Sequence, residues 1–400
     1  MSSSALSQQR AVAQLTLTEK LAVTPKTIGL RKFRFLSPIP HNPANTSSTV
    51  AKTITALLTG VFRDRASTPP TIKKHVMYSA IRALTGDFSP LQHQYRAPST
   101  DAAYESFCAF KSIKPDSEIL QDGTKAHWIG PRTAKKLIIH FHGGGYVLPA
   151  AAYTFTYLHG LREALIKSLP QSSSGNEDLV PSVLVLSYDL SPGAVFPRQL
   201  IQATALLHHV FENLRIPPSS VIIGGDSAGA NLALALLGHI AHPHPSVPKL
   251  DFPEGEKFLG VVLLSPWADF ETDHQSFETN VRKDDLSKRF LTNCSESFLG
   301  TRHPHERDAD TAYTQPDLAP AEWWSGIPAH SILITGGEDE LLIDGVKRLA
   351  KNMSEGLGSG VKLSVVKDEA HEAPLLEKMM GETEGGVNAL NIEGWVRSKL

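Results

Sequence analysis

The sequence predicts an α/β protein with a mostly parallel, doubly wound sheet. Short apolar runs alternate with amphipathic helical stretches after about residue 130, and within each run the apolar residues are continuous. Continuous apolar strands are typical of a parallel sheet, because helices cover both of its faces and bury every side chain. The predicted strands are Leu137–Phe141, Val183–Tyr188, Val221–Gly224, Leu259–Leu264, Ile332–Thr335 and Leu363–Val366.

The chain has 400 residues, which favours one large core with an added substructure. Single cores stop growing near about 250 to 300 residues. Apolar residues recur at helical spacing in Val50–Phe62 and again in Ile72–Leu84. We therefore predict an N-terminal helical segment over residues 1–100, acting either as a cap or as a packing arm. The main α/β domain is predicted over residues 101–400, with a second cap segment at about 267–325.

Composition excludes several classes of partner. The chain carries 39 basic and 41 acidic side chains, so no global field attracts nucleic acid or an anionic membrane. No continuous apolar run of about 18 residues occurs, which predicts no stable membrane anchor. Two cysteines and a polar N-terminus without a secretory pattern predict a cytoplasmic protein. The sequence is also compatible with a homodimer.

A serine lies in a turn that is typical of a catalytic nucleophile. The predicted strand Val221–Gly224 runs into Gly225-Asp226-Ser227-Ala228-Gly229, and a strong helix-forming segment follows. Glycines two residues before and after the serine remove the Cβ atoms that would clash in such a tight strand-to-helix turn. The pattern predicts Ser227 as the nucleophile and the amide of Ala228 as a donor to a developing oxyanion.

A glycine-rich turn follows an earlier strand. Leu137–Phe141 ends directly in His142-Gly143-Gly144-Gly145-Tyr146. Consecutive glycines leave backbone amides unshielded, and we expect Gly143 and Gly144 to donate to the oxyanion together with Ala228. A phosphate-binding loop would place Lys and Ser or Thr after the glycines, and this sequence does not. His142 is interpreted as a structural residue.

These motifs, in this order, resemble those of the hormone-sensitive lipase-like group of α/β-hydrolases. The segment Tyr188-Asp189-Leu190-Ser191-Pro192 and the following Phe196-Pro197 extend the resemblance, although Asp189 and Gly193 replace the Arg and Glu usual in that group. The resemblance covers roughly residues 100–400. It implies an α/β-hydrolase fold with a helical cap and a serine esterase activity that needs neither metal nor organic cofactor.

The acid and the base are expected on the loops after the last two strands, because the triad of this fold follows the chain order serine, acid, histidine. Three carboxylates crowd the first loop, at Glu338, Asp339 and Glu340. The family register, with a second acid four residues later, favours Glu340, whereas counting from the end of the strand favours Asp339. His371 lies on the loop after the final strand and is the predicted base.

The predicted function is hydrolysis of short to medium acyl esters, or of acetylated small molecules, through an acyl-enzyme. A transacylase or a lactonase would use the same triad, with an acceptor other than water in the first case. A non-catalytic receptor for a small ligand would share the fold, although the presence of Ser227, an acid and His371 argues against it. The sequence leaves the choice among these alternatives open.

Overall fold

The computed structural model describes residues 43–170, 177–382 and 386–400. One eight-stranded sheet in the order β1-β2-β4-β3-β5-β6-β7-β8 forms its centre. The first three strands of this order pair antiparallel, and all other neighbours pair parallel. The strands are β1 Ser117–Ile119, β2 Lys125–Ile129, β3 Leu137–Phe141, β4 Ser182–Ser187, β5 Val221–Asp226, β6 Gly260–Leu264, β7 Ile332–Gly337 and β8 Val361–Val366.

Helices cover both faces of the sheet and precede it in the chain. The N-terminal helices are α1 Pro43–Thr59, α2 Ile72–Asp87, α3 Pro90–Arg96 and α4 Thr100–Lys111. The remaining α-helices are α5 Ala152–Lys167, α6 Arg198–His208, α7 Ala228–Ala241, α8 Gln275–Thr279, α9 Lys288–Leu299, α10 Thr311–Thr314, α11 Ala321–Trp324, α12 Ile343–Leu357, α13 Ala373–Met379 and α14 Gly386–Arg397.

The apolar runs form strands because both faces of the sheet are buried. In β3, Ile139 belongs to the largest of three apolar clusters in the described residues, and its neighbour Ile138 belongs to the second. Successive strand residues point to opposite faces, so a run with no polar break supplies both clusters at once. The six strands predicted from apolar runs, and the doubly wound sheet they imply, are confirmed.

The strand order brings the predicted site residues to one edge of the sheet. From β3 the chain crosses to β4 on one side, and β5 then pairs on the other side of β3. This reversal is a topological switch point, where ligands of open α/β sheets bind beyond the carboxyl ends of the strands. Beyond those ends lie the glycine turn after β3, Ser227 after β5, Glu340 after β7 and His371 after β8.

The N-terminal helices pack beside this edge. Lys74 on α2 forms an ion pair with Glu377 on α13 at 2.7 Å, and Tyr78 on α2 packs with Ala370 and Leu376, on either side of the predicted base. Helix α3 is tied to the glycine turn region, because Gln94 donates to the carbonyl of Val147 at 2.9 Å. The proposed division into a cap and a main domain stays a prediction, and residues 1–42 of the predicted cap lie outside the described residues.

The second predicted cap segment contains α8 to α11 and contributes mainly to the core. Trp267, Phe270, Phe298 and Trp324 are all buried in the largest apolar cluster. Their rings therefore pack the segment onto the sheet. Both cysteines are buried and unpaired. Within the ranges that the structure describes, no helix has the length and apolarity required to cross a bilayer.

Candidate active site

Ser227 occupies a strained turn between β5 and α7. Its backbone has φ 50° and ψ −117°, a combination that a non-glycine residue rarely adopts. Such strain costs about 1 to 3 kcal/mol and is maintained only where the surroundings hold it. Here the Ser227 amide donates to the carbonyl of Leu264 at 2.9 Å, and its carbonyl accepts from the amide of Trp267 at 3.1 Å.

The two flanking glycines permit the close approach of helix and strand. A Cβ atom on Gly225 would lie 2.5 Å from the carbonyl carbon of Gly229. A Cβ atom on Gly229 would lie 1.9 Å from the carbonyl oxygen of Phe141, on neighbouring β3. The Gly-x-Ser-x-Gly pattern is therefore required by contacts of the backbone with itself.

His371 and Glu340 are in contact at the same edge of the sheet. Nδ1 of His371 and Oε2 of Glu340 are 3.1 Å apart, and both side chains are almost completely buried. Burial alone would lower the pKa of His371, but the hydrogen bond and the charge of Glu340 raise it to about 10. Burial raises the pKa of Glu340 itself.

The other carboxylate oxygen of Glu340 accepts a hydrogen bond from a serine that no sequence motif indicated. Ser265, which follows β6, donates from Oγ to Oε1 of Glu340 at 2.6 Å. Asp284 accepts the backbone amides of His371 at 3.0 Å and of Leu341 at 2.6 Å. These partners lie far from the acid in the chain, so no local sequence pattern indicates them.

Asp339, the alternative acid, faces a different partner. Its carboxylate forms an ion pair with Nζ of Lys283 at 2.9 Å. Asp344, the second acid of the family register, accepts from the amide of Ser276 at 2.9 Å. Among these three carboxylates, Glu340 is the one that contacts the imidazole.

The glycine turn departs from the predicted donor set in one position. The amide of Gly143 donates to Oδ2 of Asp226 at 2.7 Å. An amide has a single hydrogen, so this contact conflicts with the expectation that Gly143 serves as an oxyanion donor. Among the described residues, the amides of Gly144, Gly145 and Ala228 have no hydrogen-bond partner.

Gly145 is a position in the turn where a side chain would meet helix α9. Its φ is +61°, and a Cβ atom there would lie 2.5 Å from Sγ of Cys294 on α9. Gly144 has φ +98°. Both residues thus adopt backbone conformations that disfavour side chains.

His142 is a structural residue, as predicted. It is fully buried, its ring stacks on Tyr188 with centroids 4.2 Å apart, and Nδ1 contacts the carbonyl of Gly143 at 2.8 Å. Burial lowers the pKa of His142 to about 4, so the ring is neutral at ordinary pH. The neutral ring supports the first glycine of the turn.

Nε2 of His371 is buried and has no hydrogen-bond partner among the described residues. A base that receives a proton from a nucleophile needs a free nitrogen facing the reacting groups, and catalytic hydrogen bonds often tighten only when substrate binds. The arrangement provides a strained serine, a buried base oriented by an acid, and amides without partners. It suits acyl transfer.

One group of three potential metal ligands converges elsewhere in the described part of the chain, at Asp269, Glu271 and His274. Arg348 lies against it, 3.4 Å from Asp269 and 3.3 Å from Glu271. Arg307 also pairs with Glu271, so two guanidinium groups balance the two carboxylates and the cluster does not require a metal ion.

The chain matches a known protein family over more than half of its length. A family model described as the alpha/beta hydrolase fold matches residues 138–375. The matched region begins in β3 and ends in α13, and it therefore contains Ser227, Glu340 and His371.

Two relatives of known name share part of the chain. Steryl acetyl hydrolase 1 of Saccharomyces cerevisiae is 26% identical over 228 residues, which cover 56% of this chain and 49% of that protein. An acetyl-hydrolase of Streptomyces hygroscopicus is 27% identical over 251 residues, which cover 62% of this chain and 72% of that protein. The chain thus spans about half the length of the first relative.

Solved structures share the fold. An esterase from the bacterial hormone-sensitive lipase family superposes with a TM-score of 0.56 at 23% identity, covering 76% of this chain and 92% of its own. Carboxyl esterase 2 of the fungus Tuber melanosporum superposes with a TM-score of 0.55 at 20% identity, covering 72% and 85%. At these identities the likeness is one of architecture.

Proposed function

Because the chain belongs to the α/β-hydrolase family, we propose that it is a serine carboxylesterase that hydrolyses acetyl and other short acyl esters of small molecules. The observation that carries this proposal is the buried contact of 3.1 Å between His371 and Glu340, at the sheet edge where Ser227 follows β5. The acetyl-hydrolase names of two relatives support a short acyl group. The close packing of α9 on Gly145 supports it as well, because it narrows the space beside the glycine turn.

The residues have distinct roles in the proposed reaction. Oγ of Ser227 attacks the ester carbonyl while Nε2 of His371 takes its proton, and Glu340 stabilises the imidazolium and fixes its tautomer. The amides of Gly144, Gly145 and Ala228 are the proposed donors to the oxyanion. His371 then protonates the leaving alcohol, and water releases the acyl group from Ser227 in a second passage through the same steps.

The test is hydrolysis of a chain-length series of p-nitrophenyl esters by the wild-type protein and by Ser227→Ala. We expect the highest kcat/KM on the shortest esters and a loss on the order of 10³-fold or more in the variant. Ser219→Ala is the matched control, because Ser219 is exposed at the opposite end of β5 and should leave turnover unchanged. Labelling of Ser227 by diethyl p-nitrophenyl phosphate gives a second readout that needs no acyl substrate.

The products separate the rival activities. Hydrolysis yields the free acid in the presence of an added alcohol, whereas a transacylase would yield mainly the new ester. A lactonase would open a cyclic ester faster than it cleaves any linear one. A folded wild-type protein that neither cleaves these esters nor reacts with the phosphate would refute the proposal and favour a ligand-binding role.

A further inference from the structure

A second acidic side chain lies beside the reacting nitrogen of the base. Glu372 follows His371 directly, and its Oε1 is 3.8 Å from Nε2 of His371. Its side chain is 13% exposed, but Oε1 itself is buried and has no hydrogen-bond donor among the described residues. Glu340 already satisfies Nδ1 of the same ring, so Glu372 is an additional acid on the side where the proton must be exchanged.

The carboxyl group of Glu372 also meets that of Asp226 at the glycine turn. A Cβ atom on Gly143 would lie 2.3 Å from Oε1 of Glu372 and 2.4 Å from Oδ2 of Asp226. The two oxygens, from residues 146 positions apart in the chain, therefore lie on the same side of the Gly143 backbone, where a side chain would point. Asp226 is held in place by the Gly143 amide and, through Oδ1, by Nε2 of His140 at 2.7 Å.

Two buried carboxyl groups this close cannot both be ionised without a large cost, and such pairs hold one proton between them. Burial and then the charge of Asp226 raise the pKa of Glu372 well above its usual range. Burial acts in the same direction on Asp226, but the hydrogen bond from His140 outweighs it and lowers the pKa of Asp226. The proton accordingly resides on Glu372.

The other titratable groups around the pair come from several elements. The charge of Asp285 also raises the pKa of Glu372, and burial raises the pKa of Asp285 itself. Glu340 contacts Nδ1 of His371, and Asp284 accepts its backbone amide. The remaining neighbours are His142 towards Asp226, and Tyr153 and Tyr188 towards Glu372.

We propose, building on the esterase function above, that Glu372 is a positioning residue for His371, bridged to Asp226 and thereby joining the loop of the base to the glycine turn. In its neutral form Glu372 leaves Nε2 free to receive the proton of Ser227. Once ionised, it would pair with the imidazolium and hold the proton that the leaving alcohol requires. It would also add to the attraction that raises the pKa of His371.

Two substitutions distinguish the contact between Glu372 and Asp226 from the negative charge of Glu372. Glu372→Gln keeps a donor for Asp226 and cannot ionise, whereas Glu372→Ala removes the bridge. We expect kcat to fall about 3-fold in the first variant and about 100-fold in the second, with KM nearly unchanged in both, because a displaced base slows the chemistry more than binding. Glu338→Gln is the matched control, since Glu338 is exposed on the loop before Glu340.

The pH dependence is the readout that a merely structural role would not change. Ionised Glu372 stabilises the imidazolium, so in the wild type kcat/KM and the rate of Ser227 labelling by diethyl p-nitrophenyl phosphate should rise only at alkaline pH, as His371 loses its proton. In Glu372→Gln this rise should occur at lower pH. A Gln variant whose rise stays at the wild-type pH, or that is as defective as the Ala variant at every pH, would overturn the proposal, as would an Ala variant that matches the wild type.

Stability supplies a test that does not depend on catalysis. The pKa of Glu372 is higher in the folded than in the unfolded protein. The stabilisation of the fold by Glu372 is therefore complete below about pH 4.5 and is lost as the pH rises through the folded-state pKa. The melting temperature of Glu372→Gln, measured relative to that of the wild type, should therefore increase as the pH is raised from acid to alkaline. If the wild type shows no esterase activity but this increase is seen, the esterase proposal fails and the contact between Glu372 and Asp226 stands. A difference in melting temperature that does not change with pH would refute that contact.

Discussion

Replacing Glu340 with Gln should nearly abolish catalysis while leaving the fold intact. The substitution removes a negative charge whose oxygen lies 3.1 Å from Nδ1 of His371. With an effective dielectric constant of about 20, two unit charges at that separation interact by about 5 kcal/mol. This energy stabilises the imidazolium that forms as Ser227 attacks, and its loss corresponds to a decrease of roughly 10³- to 10⁴-fold in kcat.

The assay is kcat and kcat/KM on p-nitrophenyl acetate across a pH series. In the wild type, Glu340 raises the pKa of His371 to about 10, so kcat/KM should increase as the imidazole loses its proton towards alkaline pH. In Glu340→Gln this limb should move to lower pH, because burial then acts on the imidazole without the opposing charge. Circular dichroism and the melting temperature verify the fold of the variant.

Asp339→Asn is the matched control, because Asp339 is the adjacent carboxylate and pairs with Lys283. It should keep kcat within about 3-fold of the wild type, in line with the modest effects of substitutions outside the reacting groups. The reasoning would be refuted if Glu340→Gln retained more than a tenth of wild-type kcat, or if Asp339→Asn caused the larger loss.

Two further substitutions test the backbone of the site. Gly145→Ala should lower kcat/KM by about 10²-fold, because its Cβ would meet Sγ of Cys294 at 2.5 Å and displace a proposed oxyanion donor. Gly255→Ala has a similar positive φ with nothing within 4 Å, so it should reduce stability slightly and leave kcat/KM unchanged. An equal loss of activity in both variants would contradict the assignment. Gly229→Ala should destabilise the protein by more than about 3 kcal/mol in urea unfolding, since its Cβ would lie 1.9 Å from the carbonyl oxygen of Phe141. A urea midpoint close to that of the wild type would show that α7 and β3 are not in tight contact.

The fold was predictable where burial leaves a simple local signal. The apolar runs predicted strands β3 to β8, and the α/β-hydrolase fold is confirmed by the family match over residues 138–375. Strands β1 and β2 were missed, because Lys125 and His127 interrupt the apolar pattern of β2. His127 is nevertheless buried, with Nε2 at 3.0 Å from Asp101 on α4. A polar residue that is buried against a distant partner cannot be distinguished from an exposed one in the sequence.

The sequence by itself determined the positions that depend on local backbone geometry. Ser227 could be predicted as the nucleophile because its turn, its glycines and the flanking strand and helix are contiguous, and His371 could be predicted as the base because it follows the last strand. Only the tertiary structure shows that Glu340, and not Asp339, contacts His371, and that the amide of Gly143 is bonded to Asp226. The physical reason is that the direction of a carboxylate or an amide in a turn depends on the group that it contacts, and here those groups, His371 and Asp226, lie far away in the chain.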